Sequence, residues 1–383
     1  GDHGGGYILD RVVEAAACNG LPEAKFVAER LGPLASTPID GMLVSPRNMG
    51  SVAKDMRAPY AAVPAVAPPL DSALTKAGLY VMRSSWERDA HALCMEACPR
   101  GAIASSHGHT TLMNFVAHSH GTPVLIDSSA GWETDTSGVW WRTGSFSHNV
   151  ATVDGEHHLP IRGIFRWDQA VVPQVDAWES SHAYSYFSGV HEAYERLPRR
   201  VSGTRRKIFF LRDGYWLLID RFTAAGREDA HTYTQHFQVN LPCTLAADGT
   251  LATTGDAGNL LILPAPVAAV IPHLEACPYP QDHYPNPDHL TYTLETTGSA
   301  LLATVLVPFR GAQRPTVTVN TIPVETADRT LSPWEATGLE ITLNGRRDIY
   351  VDIHTHWHQA WHCGGYSSEK RLFHSTCMVS EQA

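Results

Sequence analysis

The sequence predicts a mainly β protein: a large antiparallel β-sandwich that follows a short helical segment. Three observations carry that expectation. Apolar residues make up 43% of the 383 residues and charged ones only 18%, which is enough for a sizeable buried core. From Gly78 onward, short β-rich runs alternate with turn signals and show no parallel βαβ rhythm. The longest apolar runs, such as Ile208–Leu211 and Leu301–Leu306, have strand length and fall far short of the ~18 residues of a membrane span.

In chain order, Ile8, Val12, Ala15 and Ala16 fall at helical spacing, and Asn19-Gly20 is a stop signal. Pro22 opens a second helix carrying Phe26, Val27 and Leu31, closed by Gly32. Two such helices are too small to bury a core by themselves. Ala58–Leu70 then holds Pro59, Pro64, Pro68 and Pro69 and reads as a stiff connector. The boundary falls near Leu74, so residues 1–74 are helix and linker and residues 75–383 are the β domain. Within the latter, Lys207–Leu211 and Tyr215–Asp220 flank the turn Arg212-Asp213-Gly214. His231–Val239, Leu260–Leu263, Ala300–Val307, Thr316–Asn320, Leu339–Leu343 and Asp348–His354 continue the series, the last two joined by Asn344-Gly345.

The charge balance excludes some functions. Twenty-nine Lys and Arg against 39 acids give −10, the reverse of a nucleic-acid binder, and no membrane segment is read. Seven scattered cysteines without a CxxC pair form neither a disulfide framework nor a zinc ribbon. The 21 histidines are where chemistry is to be sought.

Ser105 to Gly155 is the informative stretch. His107 and His109 stand at i and i+2; on a strand they share a face, and a bend at Gly108 would send them to two tasks. Asp127 ends the apolar run Val124–Ile126, and His148 precedes the run Val150–Val153. Imidazole plus carboxylate suits zinc or a similar divalent ion. An Asp–His hydrogen bond without metal satisfies the same groups, so both readings stand.

Gly78 to Gly155 as a whole resembles the heparinase II/III family of polysaccharide lyases. Met82-Arg83-Ser84-Ser85-Trp86, with Asp89 after it, matches that family's Met-Arg-Ser-x-Trp strand. His107, His109 and Phe115 match its His-Gly-His-x-Asp-x-x-Ser-Phe stretch, and Gly121 to Asp127 its Gly-x-x-x-Leu-x-Asp. Arg142, His148, Asn149, Val150, Asp154 and Gly155 match its Arg-Ser-Thr-x-x-His-Asn-x-Val run and the Asp-Gly that follows. Arg200, Asp220, His231 and His236 are a weaker echo.

The resemblance implies an α/α toroid followed by a supersandwich-like domain. Residues 1–74 would then be the end of a toroid whose remainder is a missing partner domain, supplying a tyrosine and an asparagine. It implies β-elimination on an acidic, uronic-acid-containing glycan, with His107 as catalytic base or hydrogen-bond partner and Arg142 pairing with a uronate carboxylate. Asn149, His157 and Arg200 would contact substrate. His109, Asp127 and His148 would hold a structural zinc or other divalent ion. By resemblance the protein is periplasmic or secreted; the free thiols leave the cytoplasm open, and a homodimer is open too. Two departures bear on activity: Thr111 stands where the family has Asp, and Asn114 where it has Ser. The alternative function is a non-catalytic glycan-binding or scaffold module of the same fold.

Overall fold

The structure, a computed structural model, describes residues 16–17, 19–31, 57–101, 108–127, 141–162, 167, 169–278, 287–354, 360–368 and 375–381. His107 lies outside the described residues. The chain divides into two units, Gly1–Leu70 and Asp71–Ala383.

In the first unit the expected second helix spans Pro22–Leu31, with Glu23 in its first turn and Arg30 in its last, each at the end of the helix dipole that favours its charge. Ala16, Ala28 and Tyr60 are buried together. The proline connector differs from expectation at its start, where Arg57–Ala62 is helical. Pro59 lies in the first turn, where a backbone N–H has no partner within the helix, so its missing donor costs little.

The second unit is built of antiparallel strands, as its alternating runs require. The first sheet has the order Ser72–Leu74, Leu79–Arg83, Ala92–Glu96, Asn114–Ser119, Thr122–Leu125, Ala230–Val239, Asp288–Thr297, Ile271–Ala276, and Ala151–Val153 also pairs with Ala230–Val239. The second sheet runs Cys243–Leu245, Leu251–Thr253, Gly258–Pro264, Ala300–Arg310, Trp216–Ala224, Val201–Leu211, Tyr184–His191, Gln174–Ser180. A third, four-stranded sheet is Val317–Ile322, Ala336–Leu343, Arg346–Ile353, Ser375–Glu381.

Burial orders these sheets into layers. Ile208, Phe210, Trp216, Leu218, Leu260, Ile262 and Leu306 of the second sheet pack with Met82, Phe115, Phe237 and Leu290 of the first. The residues between them (Phe209, Leu217, Ile219, Leu261, Val305, Val307) pack instead with Leu339, Ile341 and Tyr350 of the third. The second sheet is therefore central and buried on both faces. That is why its strands read as unbroken apolar runs rather than as alternation. The turn Asn344-Gly345 has φ of 51° and 89°, the left-handed pair that a two-residue hairpin needs and that Asn-Gly supplies.

Asp71, at the start of this unit, is a buried knot. It accepts both ends of the Arg212 guanidinium at 3.0 and 2.6 Å, the Ser180 and Ser185 hydroxyls at 2.5 and 2.6 Å, and the Arg83 N–H at 3.1 Å. The Met-Arg-Ser-x-Trp motif thus serves the fold: Arg83 stacks over Trp86 at 4.4 Å while its backbone holds Asp71.

Candidate functional site

One edge of the long strand Ala230–Val239 receives two short partners: Leu125 opposite Val239, and Ala151 opposite Gln235. Asn149 fills the gap between them. Its backbone N–H donates to Asn114 Oδ1 at 2.9 Å, and its Nδ2 donates to the carbonyls of Phe115 and Ile126 at 2.7 and 2.8 Å. Its Oδ1 accepts from Gln238 N at 2.6 Å. Asn149 is fully buried, and these bonds make it a clamp of strand ends.

The clamp brings three sequence-distant side chains together at those strand ends. Asp127 follows Thr122–Leu125, His148 follows a 3-10 turn at Ser145–Ser147, and His109 precedes Asn114–Ser119. Gly108–Thr110 are off-strand, so the pattern of a histidine, glycine and histidine does not make one strand face here. His148 Nδ1 is hydrogen-bonded to Asp127 Oδ1. Its Nε2 lies 2.9 Å from the Arg142 carbonyl and 3.3 Å from His109 Nδ1. Burial and the nearby His148 push His109 down to about 3, so it is a neutral imidazole at pH 7. Burial alone would raise the Asp127 carboxyl, but His148 beside it brings it below its usual range. Among the described residues no group of three His, Cys, Asp or Glu is close enough to hold a metal as arranged. Asp127 stands on the far side of His148 from His109.

The other expected site residues are placed less directly. Arg142 is buried, 3% exposed, and serves His148 through its carbonyl; the structure does not present it to a uronate. His157 is half-buried against the Phe146 ring at 4.3 Å, and its Nδ1 accepts from Ser145 N at 3.0 Å. Burial, with Arg196 nearby, lowers it to about 4. Arg200 is on the surface, paired with Glu195 at 3.3 Å. Both departures from the family pattern are absorbed: Asn114 receives Asn149 N, and Thr111 receives Arg100 Nε on its carbonyl at 3.1 Å and its hydroxyl at 3.3 Å.

Sequence reasoning missed a chain of neutral imidazoles on the same outer face. Thr152 Oγ1 meets His236 Nε2 at 2.8 Å, His236 Nδ1 meets His289 Nε2 at 3.0 Å, and His289 Nδ1 meets Glu275 at 3.2 Å. Phe146 stacks on His236 at 5.5 Å, so the segment carrying Arg142 and His148 rests on this floor. The signal was present as face alternation in His231–Val239, but the partner strand Asp288–Thr297 cannot be assigned from local pattern.

Comparison with known proteins agrees with this architecture. The family model described as "Heparinase II/III-like, C-terminal" matches residues 67–320. The heparin-sulfate lyase of Pedobacter heparinus is 22% identical over 197 residues, 51% of this chain and 27% of that protein. Among solved structures, heparan sulfate lyase HepC from Pedobacter heparinus superposes with a TM-score of 0.66 at 16% identity, covering 93% of this chain and 49% of the other. A heparinase III structure gives 0.59 at 15% identity, covering 88% and 48%. The chain thus spans about half the length of those solved relatives. With the family model covering most of its length, the chain belongs to the heparinase II/III-like C-terminal family.

Proposed function

We propose that this chain is the sandwich portion of a lyase that cleaves a uronic-acid-containing polysaccharide by β-elimination. The observation that supports it most is the convergence of the family's His, Asp and His positions, 39 and 21 residues apart in sequence, into one hydrogen-bonded cluster. In the reaction the C5 proton of a uronate is made acidic by neutralising the adjacent carboxylate. A base takes that proton, C4=C5 forms, and the 4-linked oxygen leaves with a proton. A neutral imidazole is a competent base near pH 7, and His107 takes that role. Heparan sulfate, named for the relatives, is the first substrate to try.

We also propose that His109, Asp127 and His148 serve a divalent ion, zinc first. Two nitrogens bound to a tetrahedral zinc at ~2.0–2.1 Å stand ~3.3 Å apart, and His109 Nδ1 and His148 Nε2 are separated by 3.3 Å. Zinc binding there requires His148 Nε2 to give up its proton and its hydrogen bond to the Arg142 carbonyl; Asp127 then orients His148 through its other nitrogen, a usual arrangement around zinc-binding histidine. An ion there supplies a cross-link between the segments that carry the cluster. Elemental analysis of protein purified without added metal, with melting before and after chelation, tests this. Near-stoichiometric zinc and a lowered melting temperature are expected; little zinc and unchanged melting would leave a hydrogen-bonded cluster alone.

The activity itself is tested by incubating the full-length protein with heparan sulfate, chondroitin, hyaluronan and alginate and following the absorbance of the unsaturated uronate. His107→Ala is expected to lower turnover by roughly 10²–10⁴ without unfolding the protein. The second reading, a glycan-binding module without catalysis, is favoured by Thr111 in place of Asp. Glycan binding with no absorbance change on any of the four polymers would select it.

A further inference from the structure

A buried charged network ends directly beneath the cluster. Arg206, on the central strand Val201–Leu211, is 2% exposed. Its Nε and Nη2 donate to the two oxygens of Asp220 at 2.7 and 2.8 Å, and Asp220 sits opposite it on the neighbouring strand. Asp220 also accepts from Gln235 Nε2 at 2.8 Å, and Gln235 Oε1 accepts from Thr304 at 2.7 Å. Nη1 of Arg206 turns the other way and donates to the carbonyls of Met113 at 2.8 Å and Asn149 at 2.7 Å.

Those two carbonyls belong to the segments of interest. Asn149 follows His148, and Met113 lies between His109 and the strand Asn114–Ser119. Met113 has φ of 56°, a left-handed conformation that a long side chain rarely adopts, and it is 2% exposed. Such strain persists only where the surroundings over-determine it. A buried ion pair is also a poor choice where only cohesion is needed, since apolar replacements often match or exceed it.

We propose that Arg206, oriented by Asp220, is a positioning residue for this site. It pins the strained Met113 carbonyl and the Asn149 carbonyl to one guanidinium nitrogen, and so sets His109 and His148 facing each other. Its consequence for turnover rests on the lyase reading above; its consequence for the two imidazoles does not.

The test is the double variant Arg206→Met with Asp220→Asn in the full-length protein, which leaves no buried charge and keeps an acceptor for Gln235. Melting, steady-state kinetics on heparan sulfate, and ¹⁵N signals of the imidazoles assigned with His109→Gln and His148→Gln are read together. The expected result is melting within about 5 °C of the unsubstituted protein, a kcat about tenfold lower or more with KM within about threefold, and displaced His109 and His148 signals. The His231 signals, held by Asp154, are expected to stay in place. If the double variant does not fold, Arg206→Lys is read the same way, since it keeps the charge and loses the fork. Unchanged imidazole signals and unchanged kcat per folded molecule overturn the proposal. If the unsubstituted protein cleaves nothing, the lyase reading fails and the imidazole signals alone decide the positioning role.

Discussion

Single side chains show how far this protein relies on neutral histidine. His158 is fully buried, accepts from Leu112 N at 3.1 Å on Nδ1, and lies 2.9 Å from the Ala151 carbonyl on Nε2. Burial drives it from 6.5 down to about 3. A folded-state pKa below the unfolded one means the unfolded chain binds the proton first. The contribution is therefore complete above pH about 6.5 and is lost as pH falls toward 3. The loss amounts to roughly 3 kcal/mol by pH 4 for this one ring. Urea unfolding of the unsubstituted protein and His158→Gln at pH 7.5 and 4.5 is expected to show a shallower pH dependence in the variant. Equal dependence in both would assign the acid sensitivity to other groups. At this scale the sequence picked out His109, Asp127 and His148 by residue type, by the neighbouring apolar runs and by family resemblance, and the structure brings these three side chains together. Sequence reasoning did not foresee that Asn149 and Arg142 are buried, because polarity in a sequence does not reveal whether a side chain faces solvent or clamps a gap in a sheet. It also gave no reason to connect Arg206 with Met113, 93 residues away.

Among the elements, the turns were read most surely, because their chemistry is local. Asn344-Gly345 closes the register of Leu343 against Arg346 as its residue types demand. Replacing Gly345, at φ 89°, by Ala is expected to cost about 1 kcal/mol in urea unfolding. Which strands neighbour one another was not legible, since pairing across the central sheet joins residues such as Trp216 and Leu306. Long-range pins do that work, and Asp71 is one. It ties the first strand to the hairpin turn at Arg212. Burial would raise its pKa, but the hydrogen bonds from Arg212, Ser180 and Ser185 lower it on balance. Its contribution is therefore present above the usual carboxylate pKa and lost only in stronger acid. Asp71→Ala leaves Arg212 buried without its partner and is expected to cost about 3–5 kcal/mol. A urea midpoint shifted by less than a third of that would show that the remaining hydrogen bonds to Arg212 suffice.

At the scale of the whole molecule, the layers are held by apolar packing and by buried charged contacts, of which Asp71 with Arg212 joins the central sheet to the first and Lys207 with Asp352 joins it to the third. Lys207 of the central sheet donates to both oxygens of Asp352 in the third sheet at 2.8 Å, with Lys207 1% and Asp352 0% exposed. Burial lowers the Lys207 pKa and Asp352 opposes that shift. Lys207→Met strands the carboxylate and is expected to destabilise the protein by about 3–5 kcal/mol. The urea midpoints of the two proteins give the comparison, and an unchanged midpoint would mean that Tyr350 and His354 satisfy Asp352 without Lys207. A three-layer arrangement was only partly foreseeable. The unbroken runs announced strands buried on both faces, yet not which sheet would cover the second face.

The central sheet's double burial also sets a clock on the protein's synthesis. Its strand Ala300–Arg310 is complete well before Arg346–Ile353, which carries the Tyr350 that helps cover the far face. At ~5–20 residues per second, the nascent chain holds an oily sheet face open for roughly 2–9 s. The family-matched stretch ends at residue 320, inside that interval. A chain stopped there is expected to emerge with Phe209, Leu217 and Val305 still uncovered and to partition into the pellet more than one that includes the third sheet. The strands after residue 320 thus act as the closing half of a mould for that sheet face.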